Sequence, residues 1–248
     1  MTPAARAATI ADAPALERRL DALDWEAISR SLDEIGYART AAVLTPGECA
    51  ELIALYPREE RFRSRIDMAR YRFGEGDYKY MAHPLPPLVA ALRTDAYPRL
   101  AALANAWEKT LGSRTRYPAD LGGLLDVCRR HGQTKPTPLL LHYEAGGYNC
   151  LHQDLYGDVA FPLQITAFLS RRGVDYEGGD FLLVEQRPRA QSRGEAIATE
   201  QGEMVIFPTR HRPASGTRGW YRTTMRHGVS TITRGTRYTL GIIFHDAK

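Results

Sequence analysis

His152, Asp154 and His227 are the residues whose types and spacing suit metal chemistry. In an extended chain, residues two apart point to the same face, so the His152 imidazole and the Asp154 carboxylate converge on one ion. A third donor must come from another strand, and His227 sits in the run from Arg226 to Ser230 near the C-terminal end. Two nitrogens and one oxygen on one face of an ion leave the opposite positions open, the donor set with which non-haem Fe(II) activates oxygen. Ten residues beyond His227 comes Arg237, followed by Tyr238, Thr239 and Leu240. Its guanidinium is a planar, permanently charged fork for a carboxylate, and Thr239, on the same strand face, adds a hydroxyl.

These groups need strands to hold them, and the pattern supplies strands from Thr137 onward. Residues 138–143, 148–154, 161–170, 179–185, 195–199, 203–207, 220–229 and 237–245 are short apolar or alternating runs, separated by glycine, proline and charge clusters. Eight short strands without helices between them predict a mainly β fold with a double-sheet jelly-roll core, the double-stranded β-helix. Residues 186–193 and 210–219 read as long basic loops containing proline.

The first half reads as helical. Asp12 precedes Leu16, Leu20 and Leu23 at three-to-four spacing, and Trp25, Ile28, Leu32 and Ile35 continue it until Gly36. Thr45-Pro46-Gly47-Glu48 is a capping box with proline in the first turn, opening a helix to about Tyr56. Residues 86–111 predict one or two helices broken at Pro98, and 119–130 another before Gly132. Residues 1–136 are thus expected as supporting helices and 137–248 as the catalytic core, within one globular unit.

Composition bounds the rest. The 248-residue chain is 44% hydrophobic and 25% charged, as ordinary soluble proteins are. No apolar run approaches the ~20 residues of a membrane helix. Met1 to Ala13 is alanine-rich without a charged start and apolar core, so no secretion signal is expected. Cys49, Cys128 and Cys150 suit neither a disulfide scaffold nor a CxxC zinc site, and a cytoplasmic setting is expected. The net charge of +4 permits an anionic partner without requiring one.

With His152, Asp154, His227 and Arg237 in place, residues 137–245 resemble the catalytic core of the Fe(II)/2-oxoglutarate dioxygenases. Tyr143 and Gly146 ahead of the HxD, the 177–181 turn, and Gly202 with Phe207 are similar too, and the histidine-to-arginine spacing is similar to that of prolyl hydroxylases. Stretches 63–66, 78–80, 133–141, 148–157, 185–193, 226–230 and 241–246 resemble a bacterial 2-oxoglutarate/Fe(II) oxygenase family labelled as oxidative demethylation of damaged nucleic acid (AlkB-like). The resemblance implies Fe(II) held by His152, Asp154 and His227. It also implies 2-oxoglutarate with its distal carboxylate on Arg237 and Thr239, aided by Tyr143, and oxygen-dependent oxidation of a C–H bond yielding succinate and carbon dioxide. Asn149 and Gln164 are further candidate contacts, whereas His142 and His245 read as core or supporting residues and His211 as surface.

For the substrate, the segment from Arg61 to Tyr80 holds six basic and three acidic residues interleaved with Phe62, Tyr71, Phe73, Tyr78 and Tyr80. Arginines beside aromatic rings suit nucleic-acid backbone contacts and base stacking. Arg187, Arg189, Gln191 and Arg193 would add phosphate contacts. The alternative is a hydroxylase of a protein side chain or small metabolite, since Arg237 has no following arginine of the kind that closes an AlkB site.

Overall fold

In a computed structural model, residues 13–217 and 219–248 are described. The expectations for Met1 to Asp12, including the Asp12 cap, lie outside them. The chain runs α1 (Ala13–Asp21), α2 (Trp25–Glu34), β1 (Ala38–Arg39), α3 (Pro46–Leu55), β2 (Phe62–Asp67), α4 (Met68–Tyr71), β3 (Gly74–Glu75), β4 (Asp77–Met81), α5 (Pro87–Thr110) and α6 (Leu121–Arg130). Strands follow: β5 (Leu139–Glu144), β6 (Tyr148–His152), β7 (Leu163–Phe168), β8 (Tyr176–Gly178), β9 (Phe181–Gln186), β10 (Arg193–Ile197), β11 (Met204–Pro208), β12 (His211–Gly216), β13 (Gly219–Val229) and β14 (Ile232–Ile243).

Two antiparallel sheets carry the architecture. The major sheet has the order β1-β11-β7-β14-β5-β4-β2, with β8 also on β14. The minor sheet has the order β10-β9-β13-β6-β3, with β12 also on β13. This is the jelly-roll arrangement. Strand alternation divides the major sheet: Leu140, Ile165, Leu240 and Ile242 join the helices in the largest core, while Leu141, Thr166, Thr239 and Gly241 line a cavity between the sheets. Among the described residues no helix is long and apolar enough to cross a membrane.

The helices bury the faces that the spacing selects. Leu16, Leu20 and Leu32 are fully buried and Ile28 nearly so. The capping box closes both ways between Thr45 and Glu48, and Glu48 also pairs with Arg19 of α1. Thr45→Ala should therefore cost about 1 kcal/mol. A thermal melt should register this as a drop of roughly 2–4 °C, and an unchanged transition would contradict it.

Three expectations need correction. Pro98 does not break α5, which runs unbroken from Pro87 to Thr110. Pro98 and Thr94 are both exposed, so water can take the Thr94 carbonyl that proline leaves free, while Leu92, Ala96, Leu100 and Ala104 are buried. The helical first half also supplies β1 to β4: β1 pairs with β11, β3 with β6, β4 with β5, and β2 with β4. Finally, most of the expected loop 210–219 is strand: β12 pairs along β13 from His211 to Gly216. Arg212 is buried there, bound to Glu185 at 2.8 Å and to the carbonyls of Asp33 and Glu34 at the end of α2.

Candidate active site

Antiparallel pairing of β6 with β13 sets His152 directly opposite His227. Their ring centroids lie 4.1 Å apart. Asp154, just past the end of β6, brings its carboxylate to 3.2 Å from His227 Nε2 and 3.7 Å from His152 Nε2. One donor atom from each of the three lies within 4.8 Å of the others. The His152 Nδ1 faces the Cys150 carbonyl at 2.8 Å; with the proton there, Nε2 presents a lone pair to the cluster. Phe181 and Phe207 pack against the His227 ring.

The electrostatics keep the donors in ligand form. Burial opposes ionisation of Asp154, but the His227 and His152 imidazoles and the Tyr156 hydroxyl hold its carboxyl below the usual range. Burial, with His152 beside it, lowers the pKa of His227 and favours neutral imidazole despite the nearby Asp154. The Tyr156 hydroxyl donates to Asp154 Oδ1 at 2.6 Å, leaving Oδ2 as the freer oxygen. Tyr156 carries no ligand signature in the sequence beyond its place two residues after Asp154.

Arg237 faces the same cavity from β14. It is 1% exposed, and its three guanidinium nitrogens have no hydrogen-bond partner among the described residues. Tyr143, Phe168 and Tyr176 surround it at 5.4 to 5.8 Å, Tyr143 being its partner across the β5–β14 ladder. A buried cation without an acceptor is costly unless an anion completes it, so this cage suits a carboxylate. Tyr143 is fully buried, which pushes its hydroxyl up to about 12, and it accepts from Asn149 at 3.3 Å. Thr239 and Gln164 are also buried on the cavity wall, and Gln164 Nε2 is unpartnered. The cavity, about 340 Å³, joins Arg237, Thr239 and Tyr143 to His152, Asp154 and His227.

The remaining candidates divide clearly. His245 is buried, with its pKa lowered to about 4 by burial, and it accepts from the Phe161 N–H through Nδ1. His142 binds Asp77 at 2.9 Å, and His211 lies on β12 near the Thr223 carbonyl; neither lines the cavity. Of the arginine–aromatic segment, Lys79 and Tyr80 are buried in β4, whereas Tyr71 and Phe73 are 49% and 47% exposed and stacked at 5.6 Å. Arg72 and Phe73 line the cavity. In the β9–β10 turn, Arg187 pairs with Glu185 and Arg193 with Glu195.

Comparison with known proteins agrees with this geometry. Residues 76–247 match the model of the Oxygenase-NA family, described as an oxygenase catalysing oxidative methylation of damaged DNA. Two uncharacterized proteins from Mycobacterium tuberculosis strains CDC 1551 and H37Rv are each 48% identical over 164 residues, covering 66% of this chain and 70% of the relative. In fold, the chain is similar to a 2OG-Fe(II) oxygenase family oxidoreductase from Burkholderia pseudomallei, with TM-score 0.53 and 14% identity over 90% of this chain and 92% of that one. It is also similar to a prolyl hydroxylase from Trichoplax adhaerens in complex with a hypoxia inducible factor peptide, with TM-score 0.53 and 12% identity over 93% and 92%.

Proposed function

This chain belongs to the Oxygenase-NA family, and from that premise we propose that it oxidises an alkyl C–H bond on a modified base of nucleic acid. The coarser activity, that of a 2-oxoglutarate- and Fe(II)-dependent oxygenase, follows from the family, as do both cofactors and dioxygen as co-substrate. The residues fit these groups. Two imidazoles and a carboxylate suit Fe(II), and the unpartnered Arg237 guanidinium suits the distal carboxylate of a dicarboxylic acid. In the proposed assignment His152, Asp154 and His227 hold the metal, while Arg237, Thr239 and Tyr143 hold 2-oxoglutarate. Bound there, these cofactors would supply the oxidising power, at the expense of 2-oxoglutarate converted to succinate and carbon dioxide.

The protein's own work is orientation and exclusion of water. The Cys150 carbonyl fixes the His152 ring, and the Tyr156 hydroxyl fixes the Asp154 carboxylate. Tyr156→Phe should weaken metal binding by about 10- to 100-fold, as loss of a ligand's supporting hydrogen bond does. Titration of the purified protein with Mn(II) would measure this, and an unchanged affinity would remove the role.

The nucleic-acid reading rests on Phe73, an exposed ring that lines the cavity and stacks on the exposed Tyr71. Chemistry on a base requires it to leave its stack, and aromatic rings at the entrance replace the stacking that is lost. The test is succinate formation with and without methylated single-stranded DNA. Stimulation would support the reading. Turnover indifferent to DNA would leave the oxygenase intact and move the substrate to a protein side chain or small metabolite.

A further inference from the structure

Arg72 stands out at the cavity mouth. With φ 59° and ψ 32°, it occupies the left-handed region at the end of α4, a position glycine fills without strain. The only other non-glycine residue at positive φ among those described is Arg189, which does not line the cavity. The Arg72 N–H bonds the Ala69 and Met68 carbonyls, but its exposed guanidinium makes no ion pair among the described residues.

The surrounding segment is fastened to the metal-bearing strand. The Cys150 N–H donates to the Phe73 carbonyl at 2.8 Å, and Gly74 pairs with Asn149. Gly74 permits this approach because a Cβ there would lie 2.2 Å from the Tyr148 carbonyl. Arg72 therefore has a fixed origin relative to His152, and its charge is free for a ligand. A conformation that suits glycine, kept by a residue whose side chain has no ion-pair partner among the described residues, directs attention to what that side chain meets outside them.

We propose that Arg72 is a specificity-determining residue that binds the phosphate adjoining the base being oxidised, so that a phosphate-bearing substrate is selected over the neutral nucleoside. This rests on the nucleic-acid reading and adds a fixed anion contact to it. Phe73, the next residue, offers its ring to the base, while Arg72 offers a planar fork to the phosphate oxygens.

The test compares native protein with Arg72→Gln, Arg72→Lys and Arg72→Gly. The probes are an N-methylated deoxynucleoside, its 5′-monophosphate, and a short single-stranded oligonucleotide carrying that base. Native protein should favour the phosphate-bearing probes in kcat/KM, and Arg72→Gln and Arg72→Gly should each cut that preference by about 10- to 100-fold. Arg72→Lys should fall between native protein and Arg72→Gln, because the charge remains while the planar fork is lost. Arg72→Gly should melt no lower than the native protein, separating a lost contact from a damaged fold. With Mn(II) and 2-oxoglutarate bound, oligonucleotide binding by Arg72→Gln should lose about 0.7 from its log–log salt slope.

Unchanged discrimination in Arg72→Gln and Arg72→Gly, or equal losses in Arg72→Lys and Arg72→Gln, would overturn this role while leaving the nucleic-acid reading intact. Absence of both oligonucleotide binding and oxidation in native protein would overturn that reading and this role with it.

Discussion

His152→Ala is expected to abolish succinate formation, lowering it at least about 10³-fold, because the metal supplies several kcal/mol of transition-state stabilisation and cannot be held by two donors alone. His152 is the most informative of the three residues to remove. Its side chain is 35% exposed, whereas that of His227 is 10% exposed and packs against Phe181 and Phe207. Truncating His227 would add a core cavity to the loss of a ligand. Truncating His152 leaves the β6–β13 ladder its backbone bonds and should leave thermal unfolding cooperative. Parallel titration with Co(II) should show the loss of high-affinity binding. Native turnover in this variant, or native Co(II) affinity, would remove His152 from the metal site.

Arg237→Met should raise the KM for 2-oxoglutarate by about 10²-fold, the ~3 kcal/mol expected when a buried charge pair loses one partner. Methionine is long and apolar enough to fill much of the cage formed by Tyr143, Phe168 and Tyr176. The sign of the stability change separates this from ordinary core damage. The guanidinium is buried without an acceptor, so its removal should not lower the melting temperature of the ligand-free protein. Added 2-oxoglutarate should raise the melting temperature of native protein through binding to the folded state, and that shift should disappear in the variant. An unchanged KM with a normal ligand-induced shift would place the co-substrate elsewhere.

The residues selected by spacing converge to a considerable degree. HxD marked two donors because alternate residues share a strand face, and His227 marked the third because it lay in a strand-forming run; all three meet in one cluster. Arg237, Thr239 and Tyr143 line the same cavity. Tyr156 was less legible, since tyrosine two residues past an aspartate has no fixed meaning until the loop after β6 folds back. The segment from Arg61 to Tyr80 looked uniform as sequence. In the fold it divides, because β4 buries Lys79 and Tyr80 in the major sheet while the end of α4 and the turn after it leave Tyr71 and Phe73 exposed.

By itself the sequence determined what local physics controls: the helical faces of α1 and α2, the cap of α3, the two-residue period of the later strands, and the type and spacing of the candidate metal donors. Tertiary structure alone decided which strand face meets the cavity and which meets the helices. On β14, Arg237, Thr239 and Gly241 turn to the site while Leu240 and Ile242 turn to the helical core, and a one-residue slip would exchange them. It also decided the fate of charges. Arg212 is tied to α2 and Glu185, whereas Arg237 has no acceptor among the described residues. Both are arginines in β-strands, and their sequence neighbours do not distinguish them. The distinction arises from groups brought together across the fold, because desolvation and hydrogen-bond satisfaction depend on spatial neighbours.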